Sequence, residues 1–85
     1  MKRSDLSYGA LEDLLAAPTV RIVVLPDGRA IARVRVQYGS KLYWDRVRTN
    51  SKDSAIWVTE SSALKFLRKC CNERTVFEIV REEAA

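Results

Sequence analysis

Eighty-five residues, 47% hydrophobic and 31% charged, with three glycines and two prolines, read as a single folded domain (1–85) rather than a disordered chain. The net charge is +4, and no apolar run is long enough to cross a bilayer, so a cytoplasmic protein without a membrane role is expected. The chain has no histidine, which removes the commonest general acid–base and metal ligand and points away from an enzyme, a metal site or a bound cofactor.

Lys2 and Arg3 open the chain as a signal peptide would, but Asp5, Glu12 and Asp13 interrupt the apolar stretch that such a signal needs. Residues 1–3 are expected to fray. Residues 4–17 then read as a helix, capped by Ser4 or Asp5, with Leu11, Leu14 and Leu15 as its apolar stripe. Gly9 weakens its first half, and Pro18 ends it by pushing the preceding residue out of helical geometry.

From Thr19 the composition turns β-branched. Thr19 to Leu25, Arg29 to Tyr38 and Lys41 to Thr49 form three strands of an antiparallel meander. Pro26-Asp27-Gly28 between the first two suits a three-residue hairpin loop with glycine in the left-handed region. Gly39-Ser40 between the second and third places glycine first, as a type II′ turn demands.

Residues 50–54 are polar and read as a loop, and Ala55 to Val58 is either a short strand or an extended lead-in. Thr59 caps a second helix over about 60–72, with Ala63, Leu64, Leu67, Cys70 and Cys71 on one face and Lys65, Arg68 and Lys69 on the other. The two cysteines are expected to be reduced helix-face residues, because adjacent cysteines bridge each other only with strain. Thr75 to Val80 forms a short last strand, and 81–85 is a tail expected to fray. The expected class is therefore α+β: an N-terminal helix, a three-stranded meander, a second helix on the same sheet face, and a short C-terminal strand.

Turn chemistry fixes register, and register sorts side chains between faces. A two-residue loop at Gly39-Ser40 pairs Val36 with Tyr43, Val34 with Asp45 and Ala32 with Val47, and in the alternate positions Arg35 with Trp44, Arg33 with Arg46 and Ile31 with Arg48. A three-residue loop at 26–28 pairs Ile22 with Ala32, Val20 with Val34 and Arg21 with Arg33. Both hairpins agree. Val20, Ile22, Val24, Ala32, Val34, Val36, Tyr43 and Val47 share a core face, with Asp45 as its one awkward member. Arg21, Arg33, Arg35, Arg46 and Arg48, with Trp44 and Leu42, share the other. Trp57 reads as a core aromatic, and Tyr38 and Tyr43 as residues of the core's edge. Val23, Leu25 and Ile31 make one end of the arginine face apolar; either the C-terminal segment covers them or a second copy does, giving a homodimer.

The arginine row is unfavourable in itself, since like charges directly opposite each other destabilise a sheet. Residues 19–52 carry a local charge of +6, against −2 for the remainder. An anion visiting the face accounts for both. Arginine's planar fork suits phosphate oxygens and base edges, so the expected function is nucleic-acid binding, to DNA or RNA, through Arg21, Arg33, Arg35, Lys41, Trp44, Arg46 and Arg48. The other reading is a protein-interaction module or inhibitor that docks the same face on an acidic protein, and the plainest is a solvated basic face. The element order is similar in outline to the three-stranded sheet plus helix of the arm-binding domains of tyrosine recombinases. It also loosely resembles the double-stranded-RNA-binding domains, although Thr59-Glu60-Ser61-Ser62 stands where that module's second helix opens with glycine and lysine.

Overall fold

The computed structural model describes residues 1–82. A short 3-10 turn (Arg3–Asp5) leads into α1 (Tyr8–Ala16), followed by β1 (Thr19–Val24), β2 (Ala30–Tyr38), β3 (Lys41–Arg46), α2 (Glu60–Cys70) and β4 (Val76–Arg81). The strands form one mixed sheet in the order β3-β2-β1-β4. The first three are antiparallel and β4 runs parallel to β1, a crossover made by way of α2. This is an α+β fold.

Both hairpins have the register that their turns imply. Gly28, at φ +92°, closes the loop after Pro26-Asp27: its N–H donates to the Leu25 carbonyl at 2.9 Å, and the Leu25 N–H donates to the Arg29 carbonyl at 2.8 Å. In the second turn Gly39 has φ +60° and Ser40 does not leave the ordinary region, as type II′ geometry requires. The pairs Ile22–Ala32, Arg21–Arg33, Val34–Asp45, Arg33–Arg46 and Arg35–Trp44 follow.

Both helices cover the same side. Val20, Ile22, Ala32, Val34 and Val47 form one cluster with Leu14 of α1 and Ala63 and Leu67 of α2. Trp57 is buried in that cluster and its ring lies 5.6 Å from that of Phe66. Tyr38 and Tyr43 stack at 5.2 Å at the exposed far end of the hairpin.

The boundaries depart from expectation where tertiary contacts compete with local signals. Ser7, and not Ser4 or Asp5, caps α1, accepting a hydrogen bond from the Ala10 N–H at 3.1 Å. The reason is Leu6, which is buried in the core just before the cap and stands at the staple position relative to Leu11. The stripe of α1 is accordingly Ala10 and Leu14, while Leu15 is 57% exposed. Ahead of the helix, the Lys2 N–H donates to Asp5 Oδ2 at 2.7 Å, and the Lys2 carbonyl accepts from the Asp5 N–H at 2.9 Å.

β3 ends three residues earlier than expected. Val47 still donates to the Ala32 carbonyl, but beside Ala30 the partner is Trp57, with reciprocal bonds of 2.9 and 2.8 Å. Seating Trp57 and Ala55 in the core against β2 outweighs continuing the polar Arg48-Thr49 pairing, and the expected Ile31–Arg48 pair does not form. Thr59 caps α2 as expected, in a reciprocal box with Ser62, and the helix stops at Cys70. Arg81 closes β4 and the Glu82 N–H donates to the Val24 carbonyl at 2.8 Å, so the sheet extends into the expected tail. The rest of that tail, 83–85, lies outside the described residues.

Candidate functional site

The sheet face opposite the helices is covered by neither of them. Alternation along each strand puts Arg21 of β1, Arg33 and Arg35 of β2, and Trp44 and Arg46 of β3 on it, as the two turns predict. β4 adds Val76, Glu78 and Val80. A single row crosses the four strands: Glu78, Arg21, Arg33, Arg46.

The row is not uniform in charge balance. Arg21 donates from both Nε and Nη2 to Glu78 Oε2, each at 3.2 Å. Its guanidinium carbon also lies 4.0 Å from the centroid of the Trp44 ring, and that of Arg35 lies 5.9 Å away. Trp44 is therefore a half-buried shelf that holds Arg21 by cation–π attraction, rather than a ring standing free in solvent. Arg33, Arg35 and Arg46 make no salt bridge among the described residues, and Arg33 Nε is buried without an acceptor. Val23, also on this side, is only 7% exposed. With no helix above it, its cover comes from flanking side chains, Ile31 and Val80 beside it and the long stems along the strands.

Two of the expected site residues fall elsewhere. The Arg48 guanidinium turns back to Asp45, with Nη2 at 3.4 Å from Oδ1, because the chain leaves the sheet after Val47 and the half-buried carboxylate is the nearest counter-charge. Lys41 pairs with Tyr38 and by alternation belongs to the helix side of the hairpin end. One participant escaped the sequence reading, namely Glu78. The alternation of Val76, Glu78 and Val80 marks one face of a strand, but nothing in it names β1 as the neighbour.

Asp45 and Arg48 border a groove of about 220 Å³ under α1, together with Asp13. Partial burial, and then the Asp45 and Glu12 charges, raise the Asp13 carboxyl above its ordinary value. Among the described residues no three Cys, Asp or Glu side chains gather so as to hold a metal ion. Both cysteines are free, with Cys70 buried; burial raises both thiols, Cys71 to about 11. No described helix is long and apolar enough to cross a membrane. No protein-family model, curated protein or solved structure matches the chain.

Proposed function

We propose that the chain binds nucleic acid on its uncovered sheet face. The observation that carries this is the trio Arg33, Arg35 and Arg46, gathered on one open face with no ion pair for any of them among the described residues. A face needing only solubility interleaves both signs of charge, and here one carboxylate, Glu78, answers four arginines. Phosphate oxygens supply the missing acceptors, in the geometry that the guanidinium fork prefers.

The breadth of the sheet narrows the mode of contact. Four strands spaced by about 4.8 Å span roughly 14 Å between their axes, more than the ~12 Å width of a major groove. Insertion of the whole face into a groove is thereby disfavoured relative to a phosphate backbone, or a single strand, laid across it. Arg33, Arg35 and Arg46 would contact phosphates, with Arg21 held in reserve by Glu78 and Trp44. A base that stacks on Trp44 displaces Arg21 from the ring and frees it for a phosphate.

The test is a fluorescence anisotropy titration of labelled single-stranded and duplex oligonucleotides of one sequence at low salt, repeated as salt is raised. Binding whose logarithm falls linearly with log salt supports the proposal. No binding at micromolar protein overturns it, and an acidic protein surface then becomes the partner to seek.

A further inference from the structure

We infer that the outer edge of β4 is a self-pairing edge, which joins antiparallel to β4 of a second copy in a register centred on Ile79. The direction of the backbone groups sets this up. The Val76 N–H donates to the Pro18 carbonyl and the Glu82 N–H to the Val24 carbonyl, so in this parallel ladder residues 76, 78, 80 and 82 point their peptide groups at β1. Phe77, Ile79 and Arg81 point theirs outward.

An edge of this kind is usually blunted by charge, proline or a bulge. β4 has no proline and no break in its register with β1. Its two charged side chains are each paired within the fold, Glu78 with Arg21 and Arg81 with Glu60, each at 3.2 Å, although the Arg81 side chain stays 70% exposed. The other exposed side chains along it are apolar: Val76 is 60% exposed, Ile79 47% and Val80 42%. The opposite edge of the sheet is treated differently. There Asp45 Oδ1 takes the Arg46 N–H at 2.9 Å, Lys41 stands at the strand's start, and Ala55 bonds to the Val47 carbonyl where β3 ends. Among the described residues, no side chain hydrogen-bonds to the outward peptide groups of Phe77, Ile79 or Arg81.

Self-complementarity argues for a second copy as the occupant. With Ile79 opposite Ile79 of the second copy, Phe77 pairs with Arg81 and Arg81 with Phe77, so every outward N–H and C=O of both strands is satisfied. Sliding by one pair to place Glu78 opposite Glu78 leaves Arg81 unpaired and sets like charges face to face. The two-fold axis of the favoured register stands perpendicular to the sheet. The product is one eight-stranded sheet in which both arginine faces lie on the same side. Pairing of the two edges requires no nucleic acid.

The experiment is sedimentation equilibrium of the full chain over a range of concentrations up to sub-millimolar, with two variants. The expected result is a mass that rises toward twice the monomer's. Ile79→Pro removes an N–H that points away from β1, so the monomer keeps its fold by circular dichroism while the dimer is lost. Ile79→Cys forms a disulfide-linked dimer on mild oxidation, because a hydrogen-bonded antiparallel pair sets the Cα atoms about 5.5 Å apart, within disulfide reach. Glu78→Cys does not, since Val80 of the second copy faces it, and the unaltered chain reports any background from Cys70 and Cys71. A chain that stays monomeric at sub-millimolar protein overturns the inference, as does a folded Ile79→Pro variant that still dimerises.

Discussion

Replacing Arg33 and Arg46 together by Gln tests the charge argument at its centre. The two face each other across β2 and β3, and the Val47-to-Ala32 bond beside them makes theirs the non-hydrogen-bonded kind of pair, in which Cα atoms approach to about 4.5 Å. Gln keeps part of each apolar stem, which matters because Val23 is covered on this side only by its neighbours. If both arginines contact phosphate, the log–log salt slope should flatten by about 1.8 for a duplex or about 1.4 for a single strand, at 0.9 or 0.7 per lost contact. Folding should not suffer. Removing the like-charge pair relieves up to ~1 kcal/mol, and a guanidinium nitrogen buried without an acceptor goes with it. For a domain of this size that corresponds to a melting temperature higher by up to about 4–8 °C. Anisotropy titrations at several salt concentrations, paired with thermal melts followed by circular dichroism, read both quantities. A well-folded double variant with an unchanged salt slope refutes the phosphate role of this pair.

Trp44→Ala removes the shelf beneath Arg21 without altering charge; oligonucleotide binding should weaken by ~1 kcal/mol, the low end for base stacking because Arg21 already occupies the ring, at an unchanged salt slope. Ser7→Ala should cost about 1 kcal/mol in urea unfolding, since Ser7 is the side chain that caps α1, whereas Ser4→Ala should be near neutral. Burial holds the Cys71 thiol at about 11 against its ordinary 9.0, so the folded state keeps this proton longer than the unfolded chain does. The stability linked to it is whole below pH 9.0 and is lost as pH rises through about 11; urea midpoints measured across that window should show a loss that Cys71→Ala reduces, with oligonucleotide binding at neutral pH unaffected.

The faces of the meander were legible because two turns, read separately, imposed the same sorting. Pro26-Asp27-Gly28 and Gly39-Ser40 each require a positive φ at one glycine, and each leaves only one register open. Arg21, Arg33, Arg35, Trp44 and Arg46 were thereby placed on one face from sequence. Arg48 was placed there as well and does not belong, because its position depends on where β3 stops, and that is decided by Trp57 entering the core from eleven residues beyond the strand's last residue, Arg46. The cap of α1 escaped for a related reason. Ser4, Asp5 and Ser7 are equally good caps locally, and only the burial of Leu6 against the rest of the fold selects the third.

β4 is the largest piece that sequence could not place, and it changes the meaning of the arginine row. A short apolar strand can extend either edge of a meander. Joining β1 puts Glu78 directly beside Arg21, so one of the four arginines is neutralised within the fold and drawn over Trp44. The unfavourable row is thereby divided into a compensated end at β1 and β4 and an uncompensated end at β2 and β3. If an anion binds, its tightest contacts belong at the uncompensated end, where Arg33, Arg35 and Arg46 lie within two adjacent strands. The same strand brings exposed Val76 and Val80 onto the face beside Glu78, so the margin at β4 carries apolar side chains and a carboxylate and no arginine. Polyanion contact at one margin and self-pairing at the other are compatible, because the backbone edge of β4 and the side chains of β2 and β3 do not compete for the same surface.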